Sequence, residues 1–226
     1  MKLLSVIVPV FNEANTIRGI LEKINSLNLD KEIIVVDDSS TDGTDKILRE
    51  IKYDNFKVIH HTSNRGKGAA CLTGLVNASA EFVVIQDADL EYDPGDYLKL
   101  LEPLKEAKAD LVLGARFSAG HQGLFIHRLG NRFLTGLLNL LFSSKLNDYA
   151  TCYKLARREV WHGLNLKANG FDIDVEIVCN ALKKGFRLLE VPVSYHPRTY
   201  REGKKIRWLD GLWAIYYMFK YRFSGA

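Results

Sequence analysis

Short apolar segments alternate with amphipathic segments along the first half of the chain. The apolar segments are rich in Val and Ile, as is typical of strands buried on both faces of a parallel sheet. The predicted strands are 3–10, 32–36, 57–60, 82–86 and 111–114. Apolar residues recur at helical spacing between them, and the predicted helices are 17–24, 45–51, 66–78 and 94–107. Strands that alternate with helices predict a mostly parallel sheet with right-handed crossovers and helices on its faces.

The pattern is less regular after Ala115. A polar, glycine-containing segment predicts a loop over 116–132, and a strongly apolar segment predicts a helix over 133–142. The remaining predicted elements are a helix over 171–182, a strand over 188–195 and an apolar, aromatic helix within 206–223. No repeat or clear linker divides the chain, so we expect a single Rossmann-like α/β domain over residues 1–226.

Composition narrows the range of partners. The chain has 226 residues, of which 47% are hydrophobic and 26% charged, as in ordinary globular proteins. Its formal net charge of +4 is too small to indicate nucleic-acid binding. However, Lys, Arg and His are concentrated in segments 116–132 and 196–207. This asymmetry predicts a cationic surface for phosphate groups or for an anionic membrane.

The cysteines give no sign of a metal or disulfide framework. Cys71, Cys152 and Cys179 are widely spaced and lie in no CxxC motif or Cys/His cluster, so we expect reduced, buried thiols. No segment approaches the ~20 consecutive apolar residues of a membrane-spanning helix. From these features we expect a soluble or peripheral protein in the cytoplasm.

Acidic and polar clusters follow three of the predicted strands. They occupy residues 11–13 (Phe-Asn-Glu), 37–40 (Asp-Asp-Ser-Ser) and 87–89 (Asp-Ala-Asp). In an open parallel sheet, ligands bind at the carboxyl ends of the strands near a topological switch point. Any one of these acids could simply cap a helix. Three clusters at three strand ends indicate instead a shared site for a cation or for hydrogen bonds to a base.

The Asp87-Ala88-Asp89 cluster is the most specific of the three. An apolar strand delivers two carboxylates two residues apart, and Glu91 follows at the same spacing. Mg²⁺ and Mn²⁺ prefer oxygen ligands and keep open positions for substrate phosphates. A diphosphate leaving group needs such neutralisation, because negative charge develops on it as the sugar bond breaks. A solvated turn is the alternative interpretation of so short a motif.

Together these stretches resemble the inverting family-two glycosyltransferases of GT-A fold. Within that family the chain is most similar to the branch of dolichol-phosphate mannose synthases and bacterial polyprenyl-phosphate sugar transferases. The resemblance lies in segments 6–17, 32–44, 64–75, 83–94, 114–116, 147–160 and 190–211. It covers nearly the whole chain, and the ordered set is far more specific than any single motif.

The resemblance implies a set of donor-binding residues. Asp87 and Asp89 would bind Mg²⁺ or Mn²⁺ and the diphosphate, with Glu91 as a third metal ligand where relatives often carry Gln. Arg198 and Lys205 would close over the diphosphate from a mobile loop. The implied donor-binding residues are Pro9, Phe11 (where Tyr is more usual), Glu13, Asp37, Asp38, Asp87, Ala88, Asp89, Arg198 and Lys205.

The acceptor can be argued from chemistry. A hydroxyl acceptor needs a general base, whereas a lipid phosphate is already anionic and needs only cations that hold it in line for attack. By the resemblance, Arg116 and Arg128 would hold this phosphate and, with Asp89, form the catalytic set. A solvated basic loop is the alternative. Asp148 and Glu176 could be donor-sugar contacts, structural partners of the arginines, or a base.

The sequence therefore predicts inverting transfer of a hexose from a GDP- or UDP-sugar to a dolichyl or undecaprenyl phosphate. Residues 1–115 would bind the nucleotide-sugar, and residues 116–226 would bind the acceptor and end in an interfacial helix on the cytoplasmic membrane face. The alternatives are a transferase that acts on a glycan or small-molecule hydroxyl, and a non-catalytic nucleotide-sugar-binding subunit of a membrane protein. The base and the sugar stay open.

Overall fold

The strands and helices of the first half lie where the sequence predicts them. In the computed structural model, residues 2–116, 125–198 and 208–223 are described, with side chains except at 125–127 and 208–209. The strands are β1 (Leu4–Val10), β2 (Lys31–Asp37), β3 (Phe56–His60), β4 (Phe82–Ile85), β5 (Leu111–Ala115), β6 (Lys154–Arg157) and β7 (Leu188–Pro192). The helices are α1 (Ile17–Ser26), α2 (Thr44–Glu50), α3 (Lys67–Asn77), α4 (Tyr97–Lys105), α5 (Phe125–Phe142), α6 (Arg158–Gly163), α7 (Ile173–Lys183) and α8 (Trp208–Phe223). A short 3₁₀ helix, Pro94–Asp96, precedes α4.

Within these ranges one sheet of seven strands runs in the order β3-β2-β1-β4-β6-β5-β7. The neighbouring strands are parallel except that β6 is antiparallel to both β4 and β5. The prediction of a mostly parallel sheet is thus confirmed, but the sequence did not reveal β6. Its four residues begin with the buried Lys154 and end with Arg157, so no apolar run marks it.

The core lies between the sheet and the helices on its faces. Every residue of β1 and β4 is buried, which explains their continuous apolar character. Helix α3 packs on β1 so closely that a Cβ added at Gly74 would lie 2.3 Å from the Cγ2 atom of Ile7. This close approach holds the second half of α3 against the middle of β1.

The segment after β5 corrects the sequence prediction. The loop predicted over 116–132 is wrong from residue 125 onward, because α5 begins at Phe125. The first turns of α5 leave Arg128 and Leu129 exposed, and the helix is buried only further on, at Thr135 and Leu138. Because the described side chains at 128–133 include no buried residue, this part of the helix lacks the apolar periodicity from which helices are predicted.

The last helices form a layer beside the second half of the sheet. Helix α8 packs against α5 and α7, and a Cβ added at Gly211 of α8 would lie 3.9 Å from Cδ1 of Leu134 in α5. The final strand is shorter than predicted, since β7 ends at Pro192. Across the parts of the chain that the structure describes, no helix combines the length and apolarity needed to cross a bilayer.

Strand order creates a crevice at one edge of the sheet. The chain moves outward from β1 through β2 to β3, and then returns to place β4 on the other side of β1. The carboxyl ends of β1, β2 and β4 therefore meet at one switch point. The polar clusters that follow these three strands share that edge.

Candidate functional site

A pocket of about 140 Å³ lies at this switch point. It gathers residues from the ends of three strands, from the start of α3 and from a segment far along the chain. Its lining is Pro9, Val10, Phe11, Glu13, Asp38, Asn64, Gly66, Lys67, Ala70, Asp87, Ala88, Asp89 and Arg198. The structure thus brings together most of the donor-binding residues expected from the sequence. Asn64, Gly66 and Lys67 were not in the expected set, although they lie within the segment 64–75 that carried part of the resemblance.

Asp37 and Asp38 are both buried, and each already has partners within the protein. Asp38 accepts the backbone N–H groups of Arg65 at 2.9 Å and Gly66 at 2.7 Å. It also lies 2.6 Å from Nδ1 of His61, whose side chain is 5% exposed. Asp37 instead accepts the N–H of Ser40 at 3.1 Å and does not line the pocket. Asp38 therefore shapes the turn that leads into α3, and of the two aspartates it is the one that lines the pocket.

The turn before α3 depends on Gly66. Its φ of +94° lies in the left-handed region that glycine adopts without strain. A Cβ at this position would also lie 2.4 Å from the carbonyl oxygen of Asn169. The turn held by Asp38 is therefore closed against the segment before α7, which completes one wall of the pocket.

Gln86 anchors the strand end that carries the two aspartates. Its buried side-chain carbonyl accepts the hydroxyl groups of Tyr97 at 2.7 Å and Tyr153 at 2.6 Å. The next residue, Asp87, donates its backbone N–H to Sγ of Cys152 at 3.2 Å. With its backbone held on both sides, the Asp87-Ala88-Asp89 turn projects its carboxylates into the pocket from a fixed base.

Each aspartate of this turn contacts a cation. The Oδ1 atom of Asp87 lies 2.9 Å from Nζ of Lys67. The Oδ2 atom of Asp89 accepts a hydrogen bond of 2.9 Å from Nη2 of Arg198. Burial, followed by repulsion from Asp87 and Glu91, raises the pKa of Asp89 to about 7, and the attraction of Arg198 only partly offsets this. The pocket therefore holds more negative charge than its own cations neutralise.

Glu91, which the resemblance implied as a third metal ligand, does not line the pocket. One of its carboxylate oxygens accepts the hydroxyl of Tyr195 at 2.9 Å, and the other accepts the backbone N–H of Arg198 at 2.7 Å. The described part of the chain contains no group of three or more acidic, His or Cys side chains arranged to hold a metal ion. Through these two hydrogen bonds, Glu91 holds the segment that carries Tyr195 and Arg198.

Arg198 reaches the pocket as the sequence predicts. Its guanidinium donates to Glu13 at 3.0 Å and to Asp89 at 2.9 Å, and so joins the ends of β1 and β4. Lys205, and most of the closing loop expected over 197–206, lie outside the described residues.

Arg116 is paired within the protein. Its backbone N–H, Nε and Nη2 groups all donate to the carboxylate of Asp148, at 3.1, 2.7 and 2.7 Å. Asp148 is fully buried and also accepts the side-chain amide of Asn131 at 3.0 Å. Among the alternatives left open by the sequence, the structure thus makes Asp148 a structural partner of an arginine.

Arg128 lies on the exposed side of α5. It lines a second groove, of about 660 Å³, between α5 and the segment that precedes β6. The lining residues are Ala115, Arg128, Leu129, Asn131, Arg132, Thr135, Gly136, Asn139, Leu146, Asn147 and Asp148. The groove is rich in cationic and amide groups. Arg116 is bound to Asp148 and is not part of the groove lining.

Glu176 supports backbone close to the donor pocket. Its carboxylate accepts the N–H groups of Lys167, at 2.9 and 3.1 Å, and of Ala168, at 2.8 Å. Those donors belong to the segment that packs against Gly66 and Gly68 at the start of α3. Glu176 is therefore a buried structural carboxylate. The sequence could not reveal this, because backbone donors leave no pattern in the side chains.

A family model described as glycosyl transferase family 2 matches residues 5–164, more than half of the chain. The chain belongs to this family. The matched range contains β1, β2 and β4, whose ends form the pocket, together with the Asp87-Ala88-Asp89 turn. Membership in family 2 confirms the resemblance found in the sequence.

Two curated relatives are similar over most of this chain. The low-salt glycan biosynthesis hexosyltransferase Agl6 of Haloferax volcanii is 28% identical over 202 residues, which are 86% of this chain and 48% of that protein. The dolichol-phosphate mannosyltransferase of Pyrococcus furiosus is 31% identical over 209 residues, which are 88% of this chain and 58% of that protein. The chain thus spans about half the length of these family 2 relatives.

A solved structure supports the fold. Glucosyl-3-phosphoglycerate synthase from Mycobacterium tuberculosis, in complex with Mn²⁺, UDP and phosphoglyceric acid, has a TM-score of 0.76 and 19% identity. The similarity covers 100% of this chain and 80% of that one. This confirms the GT-A type of α/β fold that the family 2 resemblance implied.

Proposed function

We propose that this chain transfers a hexose, with inversion, from a nucleoside diphosphate-sugar to a polyprenyl phosphate, with the help of Mg²⁺ or Mn²⁺. The observation that carries this proposal is the pair Asp87 and Asp89, fixed at the carboxyl end of β4 opposite Arg198. The printed names of the relatives, a hexosyltransferase and a dolichol-phosphate mannosyltransferase, support the substrate classes.

The residues present fit a divalent cation. Asp87 and Asp89 offer hard carboxylate oxygens, and the raised pKa of Asp89 reflects negative charge that a cation would neutralise. Bound there, Mg²⁺ or Mn²⁺ would supply charge neutralisation to the diphosphate leaving group. We assign the cation to Asp87 and Asp89 alone, because both oxygens of Glu91 accept hydrogen bonds from other parts of the protein.

The protein's own groups would orient the donor. Pro9 and Phe11 offer apolar surface beside Asp38, which suits a nucleoside. The cations Lys67 and Arg198 flank the two aspartates and would hold the diphosphate oxygens in place. Because these groups are fixed before the donor binds, little reorganisation would be needed as charge develops on the leaving group.

The second groove suits an anionic acceptor. Arg128 and Arg132 line it together with amide side chains of α5, and guanidinium groups bind phosphate through paired hydrogen bonds. A hydroxyl acceptor would need a general base, but Asp148 is bound to Arg116 and Glu176 to backbone amides. Both carboxylates that the sequence offered as bases are thus occupied, which favours an acceptor that is already ionised.

The helices beside this groove suit contact with a lipid surface. Both α5 and α8 have one packed and one exposed side, and the exposed side carries large apolar groups flanked by Lys220 and Arg222 of α8. These groups are Leu129, Phe133, Leu140, Leu212, Trp213, Tyr216, Phe219 and Phe223. Aromatic and basic residues are enriched where proteins meet lipid headgroups. The acceptor-binding half, 116–226, would therefore lie on the cytoplasmic membrane face with α8 as its interfacial helix.

Replacing Arg128 by alanine tests the acceptor. Loss of one charge-assisted contact should lower kcat/KM for polyprenyl phosphate roughly ten- to a hundredfold. Nucleotide binding should be unchanged, because the donor pocket uses other cations. The control Arg49→Ala removes an exposed arginine of α2 and should have no effect.

Two further outcomes of this assay would contradict the proposal. Polyprenol without its phosphate should be no substrate, because it is not ionised. Glycosylation of the alcohol or of a free sugar as readily as of the phosphate would favour the hydroxyl alternative. Nucleotide-sugar binding without any transfer would favour the non-catalytic subunit.

The lipid contact is tested with the double variant Trp213→Ser, Phe223→Ser. These side chains are 58% and 73% exposed, so their loss should weaken co-sedimentation with phosphatidylglycerol vesicles roughly tenfold or more without lowering Tm. The control Val76→Ser removes an apolar group that is 80% exposed on α3. Equal binding by wild type and double variant would contradict a membrane role for α8.

A further inference from the structure

Four alternating charges form a row that leads from the core into the donor pocket. Nζ of Lys154 lies 2.6 Å from Oδ1 of Asp174, and Oδ2 of Asp174 lies 3.4 Å from Nζ of Lys67. Nζ of Lys67 in turn lies 2.9 Å from Oδ1 of Asp87. Lys67, Asp174 and Lys154 come from α3, α7 and β6, so only the fold brings them together.

The inner end of the row is costly to bury. Lys154 is completely buried, and its ammonium donates to the carbonyl oxygen of Thr151 and pairs with Asp174. An ammonium buried without an anion is strongly unfavourable. Asp174 is its one ion-pair partner among the residues that the structure describes. The carboxylate of Asp174 therefore has a structural reason to stay ionised, and it attracts a second cation, Lys67.

The outer end of the row is open to the pocket. Lys67 is the first residue of α3. The start of this helix packs closely on the backbone of Ala168, since a Cβ added at Gly68 would lie 2.2 Å from the carbonyl oxygen of that residue. The ammonium of Lys67 lies between Asp87 and Asp174 and is shared by them. Desolvation opposes its charge, but attraction first to Asp174 and then to Asp87 outweighs this and raises its pKa. Both carboxylates therefore attract the same ammonium.

Sharing of Lys67 bears on the cation site. An ammonium at hydrogen-bond distance from Asp87 competes with any other cation for the same carboxylate. Because the carboxylate of Asp174 also attracts the ammonium of Lys67, the carboxylate of Asp87 is more available to a divalent cation. We propose that Lys67 is a positioning residue that competes with the divalent cation for Asp87, and that the Asp174–Lys154 pair limits this competition. This inference rests on the proposed metal role of Asp87 and Asp89.

The inference predicts opposite effects of two substitutions on the binding of Mn²⁺ alone. Lys67→Met removes the competitor, so Mn²⁺ should bind on the order of tenfold more tightly. Asp174→Asn removes the carboxylate that shares the ammonium of Lys67 with Asp87. Lys67 then pairs more strongly with Asp87, so Mn²⁺ should bind on the order of tenfold more weakly. General damage to the fold would weaken binding in both variants.

A double-mutant cycle separates competition from a general change of charge. If Asp174 acts through Lys67, Asp174→Asn should change Mn²⁺ affinity by less than about twofold once Lys67 is methionine. A general electrostatic effect would instead be as large in that background as in wild type. Lys67→Arg keeps the competing cation and should restore affinity close to the wild-type value.

The experiment is a titration of the full chain with Mn²⁺, with free Mn²⁺ measured by electron paramagnetic resonance and folding monitored by Tm. Lys105→Met, which removes an exposed cation of α4, is the control and should change nothing. The single variant Asp174→Asn could fail to fold because it leaves Lys154 unpaired. In that case the double variant Asp174→Asn, Lys154→Met, which removes both charges of the pair, takes the place of Asp174→Asn in the cycle.

The possible failures can be told apart. Mn²⁺ binding that is absent in wild type, or unaffected by Asp89→Ala, would overturn the proposed metal site and this inference with it. Binding that depends on Asp89 but is weakened or unchanged by Lys67→Met would overturn the inference alone. So would an effect of Asp174→Asn that is undiminished in the Lys67→Met background.

Discussion

Replacing Asp89 by alanine is expected to lower the rate of sugar transfer by roughly a hundred- to a thousandfold or more. The substitution removes one of two carboxylates proposed to hold the cation that neutralises the leaving group. It also removes the partner that holds Arg198 at 2.9 Å. The measurement is release of nucleoside diphosphate with Mn²⁺, polyprenyl phosphate and a panel of nucleotide-sugars, which would also identify the base and the sugar.

The same substitution should not destabilise the protein. The pKa of Asp89 is raised to about 7, so above that pH its ionised form opposes folding, and this penalty is lost as the pH falls below 7. Asp89→Ala should therefore keep Tm at pH 8 equal to or slightly above that of wild type. The control Asp54→Ala removes an exposed acid and should alter neither activity nor Tm. Transfer that survives both Asp89→Ala and EDTA would refute the metal assignment.

Arg116→Ala is expected to have a large effect of a different kind. It leaves the buried carboxylate of Asp148 without its guanidinium, and breaking a buried ion pair from one side costs about 3–5 kcal/mol of the free energy of unfolding. The change is measured by urea denaturation. Arg116→Met combined with Asp148→Leu removes both charges and should recover much of the loss.

This result would separate the two arginines that the family resemblance treated alike. If Arg116 were only an acceptor ligand, its removal would lower activity and leave the free energy of unfolding unchanged. The exposed Arg128, by contrast, should affect the acceptor with a much smaller effect on stability. Acceptor binding is therefore better tested at Arg128, where a loss of activity is less confounded by a loss of folding.

Local patterns were sufficient for most of the sheet, though not for β6, and for the location of the pocket. Apolar runs of Val and Ile marked β1, β2 and β4, because strands buried on both faces need continuous apolar sequence. The rule that ligands bind beyond the carboxyl ends of such strands then located the pocket at residues 11–13, 37–40 and 87–89. These features follow from periodicity and chain order, which a sequence displays directly.

Contacts between distant residues could not be read in the same way. Glu91 has the right spacing for a metal ligand, yet Tyr195 and the backbone of Arg198 occupy its oxygens. Arg116 carries the right charge for a phosphate, yet Asp148, which is 32 residues away in sequence, holds it. Both pairings depend on how the second half of the chain packs against the sheet. No local signal encodes that packing.

The sequence by itself determined the α/β fold, the family and the pair of aspartates at the end of β4. Only the tertiary structure decided which charged side chains face the pocket and which are paired with other groups inside the protein. The physical reason is that a buried charge must be paired, and its partner is chosen by proximity in the folded chain. Lys154 and Asp174 show this most clearly, since strand β6 and helix α7 bring them to 2.6 Å although neither has a motif to mark it.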